Sequence, residues 1–215
     1  MIQAWRYWTV SYGRQDKSSG EIVSESTVKA VYEFSSKEED ETDYVPLLTS
    51  VSVIKDNDFY HWIPNIHEPA QCMTIGPMPP HDSPCKGFFH YDNSLPRIVS
   101  SDLTVYQDRN DCGYSSFDQY NSCARYINRN SLKLYGSAFA RASVIMGGVN
   151  LWGTCYAHEY GWRSEYAAPI FLMMPDNLNA SGIKIFNALS RIYGIPTRPY
   201  NLDTFLLGVE PEDQI

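Results

Sequence analysis

Val149 to Pro175 reads VNLWGTCYAHEYGWRSEYAAPIFLMMP. It is rich in aromatic and β-favouring residues, holds no proline before Pro169, and sets Gly161 where a turn belongs. It predicts two strands joined at Glu159-Tyr160-Gly161. It also carries the densest set of chemically capable side chains, His158, Glu159, Arg163 and Glu165. A two-residue turn at Tyr160-Gly161 would pair His158 with Arg163 and Tyr156 with Glu165, on one face with Trp152 and Thr154. Acid, cation, imidazole and stacking surface together suit a phosphate, a nucleotide or a carboxylate. Trp152, Tyr156, His158, Arg163 and Glu165 are therefore the candidate ligand-binding residues. A three-residue turn would slip the register by one and send Arg163 to the other face. The plainer reading is an exposed hairpin face whose cross-strand charge pairs each contribute about 0.2–1 kcal/mol.

Strand-like chain lies on both sides of this hairpin. Ala4 to Tyr12, AWRYWTVSY, alternates, with Trp5, Tyr7 and Thr9 on one face and Arg6, Trp8 and Val10 on the other. TVKAVYEF, within Glu21 to Phe34, reads as a second strand, and Leu47 to Ile54 as a third. Ser35 to Asp43 is an acidic, solvated loop by composition. Ile98 to Tyr106 predicts one more strand. Ser143 to Ala157 predicts a long one, with a bulge or close backbone crossing at Gly147-Gly148. Leu132 to Ala142 fits strand or helix. Two helices are expected. One runs from Phe117 to about Asn128, capped by Ser115 or Ser116 and burying Phe117, Tyr120, Ala124 and Ile127, with Cys123 buried beside them. The other runs from Ser181 to Tyr193, closed by Gly194 and Pro196. The fold class is α+β: a twisted, mostly antiparallel sheet packed by these two helices, in a single domain over residues 1–215.

The 215 residues include 43% hydrophobic and 14% aromatic residues, enough for a real core. The formal net charge of −8 argues against a general nucleic-acid backbone binder, which needs a basic face. The N-terminal MIQAWRYWTVSYGRQ lacks the basic and apolar regions of a signal peptide, and no run approaches a bilayer-spanning length. A cytoplasmic protein with no membrane contact is the expectation. The five cysteines are odd in number and follow no export signal, which favours metal binding, catalysis or burial over a disulfide framework.

Ile63 to Pro96 is Pro-rich chain in which few regular elements fit. A loop this long inside a domain needs another source of order, and a metal is one. Cys72, His81, Cys85 and Cys112 are the candidate ligands of a structural zinc, with His90 a competing fourth. Cys72-x8-His81-x3-Cys85 matches no standard finger spacing, and cysteines and histidines without metal explain the same pattern. A Cys/His nucleophile pair is a third reading, but nothing around Cys85 matches a cysteine-protease signature. His158-Glu159 lacks the second histidine of a zincin, and Gly147-Gly148 is no phosphate-binding fingerprint.

VIMGGVNLWGTCYAHEYGWRSEYAAP, Val144 to Pro169, resembles a group of uncharacterised bacterial and phage proteins, common in actinobacteria. In those the segment runs V-x-G-x-V-x-L-W-G-x-V-x-x-H-x-x-G-[YW]-R-A-E-x-A-x-P. Ser164 and Cys155 replace the usual Ala and Val. Ala4 to Trp8 is similar to the group's opening A-W-R-x-W, and Tyr193 to Pro196 to its C-terminal Tyr-Gly-Ile-Pro. Cys72, His81-Asp82-Ser83-Pro84-Cys85 and Cys112-Gly113-Tyr114 resemble its Cys and H-x-x-P-x-x-x-C-x-C-G-I-Y segment, with Lys86 to Asp111 in place of one residue. The resemblance implies insertions near residues 14–44 and 86–111 and a C…H…C-x-C set able to close a tetrahedral zinc site. It implies no reaction. The function expected is an intracellular binding or interaction module for a small anionic ligand or a protein partner, with a structural zinc. The alternatives are a metal- or Cys/His-dependent hydrolase, which includes His158 and Glu165 as acid and base, and a phage-encoded inhibitor or regulator.

Overall fold

The alternation that begins at Ala4 extends to a long first strand, β1, Ile2–Gln15. The computed structural model describes residues 1–25, 28–38, 41–53, 59–67, 71–72, 81–82, 97–100, 103–107, 114–129, 133–134, 143–158 and 161–201. The two faces of β1 separate as the alternation predicts. The Trp5 ring stands edge-on to Tyr120 at 5.3 Å and Tyr7 stacks on Tyr126 at 5.6 Å. On the other face Trp8 meets Trp62 edge-on at 5.6 Å, and the Arg6 guanidinium lies 4.9 Å from the Trp62 ring centre.

The elements that follow are β2 (Ile22–Ser24), α1 (Val28–Ser36), β3 (Tyr44–Val53), β4 (Phe59–His61), β5 (Gln71–Cys72) and β6 (His81–Asp82). Next come β7 (Arg97–Ser100), β8 (Leu103–Gln107), β9 (Tyr114–Phe117), α2 (Tyr120–Arg129) and β10 (Lys133–Leu134). The chain continues with β11 (Ser143–His158), β12 (Gly161–Pro175), α3 (Ala180–Tyr193) and β13 (Thr197–Tyr200). The large sheet runs β4-β3-β1-β9-β12-β11-β8-β7 and is mostly antiparallel, so the α+β class holds. Among the described residues its parallel pairs are β8–β11, β10–β11 and β12–β13. β1 also pairs with β11, from Ile2 opposite Leu151 to Trp8 opposite Ile145, and touches β9 at Trp5 opposite Phe117. Since β9 pairs with β12 and β12 with β11, β11, β1, β9 and β12 close a ring.

Helices cover both faces. On one, α3 sets Ile185, Phe186 and Leu189 against Trp8, Leu48 and Val149, joined by Ala30 and Phe34 of α1. On the other, Tyr120, Cys123, Ala124 and Ile127 of α2 pack on Trp5, Met146 and Phe171. Each of these large side chains, fully buried, contributes about 1.5–3 kcal/mol. α3 closes as expected at Gly194, φ 63°, and starts one residue before Ser181, where the Asn179 side chain caps it by accepting a 2.8 Å hydrogen bond from Gly182 N.

The structure corrects three expectations. TVKAVYEF contributes a helix, because Ala30 and Phe34, four apart, are buried while Val31 and Tyr32 are exposed. Ile98 to Tyr106 is split into β7 and β8, which pair antiparallel. The helix expected from Phe117 begins at Tyr120. Tyr114–Phe117 is a strand instead, with its backbone paired to Gly161 through Ser164.

Candidate ligand-binding cleft

β11 and β12 form the expected hairpin, with a tighter register than a turn at Tyr160-Gly161 gives. His158 lies opposite Gly161, Tyr156 opposite Arg163 and Cys155 opposite Ser164, so the connection is Glu159-Tyr160, which lies outside the described residues. His158 therefore does not face Arg163, nor Tyr156 Glu165. A bulge follows, where Gly153 takes φ 75°, a left-handed value that suits a residue without a side chain. Glu165 Oε2 accepts a 3.0 Å hydrogen bond from Thr154 N, which ties the carboxylate to the bulge. Beyond it Trp152 pairs with Tyr166, and their rings stack at 5.7 Å.

β11 lines one edge of β12 from end to end. The other edge is shared. β9 pairs with Gly161 to Ser164, and β13 begins at Leu172, whose N–H also binds Pro196 O at 3.0 Å. Between them, from Glu165 to Phe171, no strand lies alongside β12 among the described residues. A cleft of about 260 Å³ opens at this notch. Its floor is Ala167 to Ile170. Tyr114, at the start of β9, and Tyr193, at the end of α3, also line it. The remaining wall is the turn from Trp62 to His67, in which Asn65 takes φ 63°.

The aromatic walls are held firmly. Trp62 N donates to Leu48 O at 2.9 Å and Trp62 Nε1 to Ser50 Oγ at 3.0 Å. The Tyr193 hydroxyl donates to Trp62 O and accepts from Leu48 N. With their polar tips engaged inside the protein, these residues present apolar surface. His67 stands edge-on to Trp152 at 5.3 Å and so joins the cleft to the Trp152–Tyr166 stack. Asn150 lies opposite Ala168 and lines the cleft, and its Oδ1 is buried without a hydrogen-bond partner. Among the described residues no Lys, Arg, Asp or Glu lines the cleft.

The five expected ligand residues thus do not form one site. Trp152 reaches the cleft through His67, and Glu165 serves the bulge. Tyr156 is buried opposite a half-buried Arg163. Burial first, and then the positive charge of Arg163, lower the Arg6 guanidinium to about 10. Trp62, His67 and Asn150 were not among the sequence candidates. Asn150 had a visible signal, a lone amide between apolar Val149 and Leu151 in a core strand.

Of the candidate zinc ligands, Cys72 and His81 sit directly opposite each other in the β5–β6 ladder. Cys85, Cys112 and the alternative His90 lie outside the described residues. Among the described residues no group of three or more metal-binding side chains gathers. Cys123 and Cys155 are buried, and burial raises both thiols, Cys155 to about 12. Both stay protonated at neutral pH, so neither is a ready nucleophile or ligand. Ser11 Oγ lies 2.8 Å from His61 Nδ1 and 2.5 Å from Thr49 Oγ1, a hydroxyl–imidazole group between β1, β3 and β4. Ser11 is buried and does not line the cleft. No helix among the described residues is long and apolar enough to cross a membrane.

Comparison with protein-family models, curated proteins and solved structures finds no match to this chain.

Proposed function

We propose that this chain is a binding module whose site is the notch beside β12, and that its ligand is small and uncharged. One observation carries the reading: Asn150 lines an aromatic cleft while its Oδ1 is buried and unpartnered. A buried acceptor left unsatisfied costs about 1–3 kcal/mol, which a bound N–H or O–H donor recovers. Tyr114, Tyr193 and Trp62 offer surface for a flat apolar body, and the absence of Lys, Arg, Asp and Glu from the described lining favours a neutral ligand over an anion. Anion recognition, if centred on Arg163, belongs to the other end of the hairpin. Titration of the 15N-labelled protein with indole and toluene tests the reading. Indole, which has the donor, should bind in the notch, and Asn150→Leu should weaken it about 5–10-fold, the worth of one neutral hydrogen bond. Toluene should bind both proteins alike. Equal indole affinity for both proteins rejects the role of Asn150.

A second reading concerns the Pro-rich loop, and the backbone register of Cys72 opposite His81 favours it. Thiolate and imidazole suit a tetrahedral zinc, so Cys72 and His81, with Cys85 and Cys112, would hold one that orders the loop. Metal analysis should find about one zinc per chain. Cys72→Ser should lose it together with thermal stability. Metal-free, fully folded wild-type protein would overturn this reading. The likeness to the actinobacterial and phage group belongs to the same proposal and adds no reaction to it.

A further inference from the structure

We infer that the notch is a strand-acceptor site, and that its occupant is a short, extended, uncharged peptide segment of a partner protein. The inference rests on the binding reading above and names the ligand's class. The cleft lies where no described strand flanks β12: β9 pairs with β12 up to Ser164, β13 resumes at Leu172, and Ala167 to Ile170 line the cleft between them. A strand edge presents a row of backbone N–H and C=O groups that a second extended chain satisfies without regard to its side chains. Backbone groups alternate in direction along a strand, so every second residue from Glu165 to Phe171 turns its N–H and C=O to this edge, where no described strand pairs with it.

Pro169 fits the same picture, since a residue without an N–H is tolerated in a sheet where its nitrogen faces an open edge. The walls then act as side-chain pockets. Tyr114, Tyr193 and the turn at Trp62 all line the notch. An extended chain directs alternate side chains to opposite sides, so one of its residues would meet the Trp62 turn while its backbone pairs with β12. Asn150 Oδ1 adds an acceptor beside Ala168, suited to a side-chain donor such as a serine hydroxyl. The absence of Lys, Arg, Asp and Glu from the described lining sets the chemistry of the segment, because an ionised side chain there would lose its hydration with no carboxylate, ammonium or guanidinium beside it. The short gap between β9 and β13 limits the paired stretch to a few residues.

The test uses the full chain and a blocked, uncharged peptide, acetyl-Ala-Ser-Ala-N-methylamide, with its backbone N-methylated counterpart as control. On titration, backbone 15N–1H signals of Ala167, Ala168 and Ile170 should shift. Amide exchange should slow at least tenfold at saturation at Ala167, whose N–H shares the open edge with Pro169, while Ala168, turned to β11, stays unchanged. N-methylation, which removes the peptide's donors, should weaken binding at least tenfold. Equal binding of the N-methylated peptide, or shifts that map away from β12, would overturn the inference. Protection of the Ala167 amide in the peptide-free protein would also overturn it, because the edge would already be paired. If indole binds and the peptide does not, the small-ligand reading stands and the strand-acceptor inference falls. If neither binds, both fall.

Discussion

Trp8→Ala should remove about 3–5 kcal/mol of folding stability, the usual cost of deleting a fully buried tryptophan. Trp8 has no solvent exposure, faces Ile145 across the β1–β11 ladder and stands edge-on to Trp62. Its core neighbours include Leu48, which also accepts the hydrogen bond from Trp62 N. A chain of this kind is stable by about 5–15 kcal/mol in total, so the variant would be marginal. The measurement is urea unfolding: the midpoint should fall with the slope unchanged, since the surface exposed on unfolding is nearly the same. Trp8→Phe should cost far less. Trp8 Nε1 has no hydrogen-bond partner, so phenylalanine keeps most of the ring and removes an unsatisfied donor. A Trp8→Ala midpoint close to wild type would show that the core does not close around this ring. Because Trp62 also walls the notch, Trp8→Ala should weaken indole binding as well.

Gly161→Ala should cost about 3 kcal/mol, the severe end of overpacking, for a reason unrelated to side-chain fit. An added Cβ would stand 1.9 Å from Ser116 O and 2.9 Å from Phe117 Cα. Both are backbone atoms of β9, so no rotamer change relieves the clash, and β9 must part from β12. β9 also carries Tyr114 to the notch. A lowered melting temperature should therefore come with a lost indole response. A stable variant with unchanged indole binding would mean that β9 and β12 are not in close register at Gly161. This glycine sits in the stretch that was legible as a turn, but its job is to admit a neighbouring strand.

That difference marks what sequence could and could not disclose. The β11–β12 hairpin was legible because β-favouring residues run unbroken on both sides of one glycine. α3 was legible because Gly194 and Pro196 end an apolar stripe of helical period. TVKAVYEF misled because its apolar residues satisfy both periods, and only the burial of Ala30 with Phe34 selects the helix. The Phe117 helix was placed a turn too early because Phe117, Tyr120, Ala124 and Ile127 continue a single stripe. Tertiary pairing with Gly161 draws Phe117 into a strand. The notch was not legible at all. Its walls come from the Trp62 turn, β9, β11, β12 and the end of α3, and no local pattern announces a gap between strands supplied by distant segments. The register of the hairpin was equally hidden, since a one-residue shift of a two-residue turn decides which side chains face Arg163.

The ring of β11, β1, β9 and β12 also sets an order of events during synthesis. β1 is made first, yet its ladder partner from Ile145 to Leu151 is made late. At about 5–20 residues per second, the ribosome leaves Trp5, Tyr7 and Trp8 waiting roughly 7–30 s for that partner. β3, Tyr44–Val53, arrives sooner and pairs with Thr9 to Arg14, the other half of β1. The nascent chain can therefore protect the far end of β1 early, while its aromatic first half stays open until β11 closes the ring. Such a topology places the burden of solubility on the first half of β1 and makes a chain cut short before β11 a natural client for chaperones.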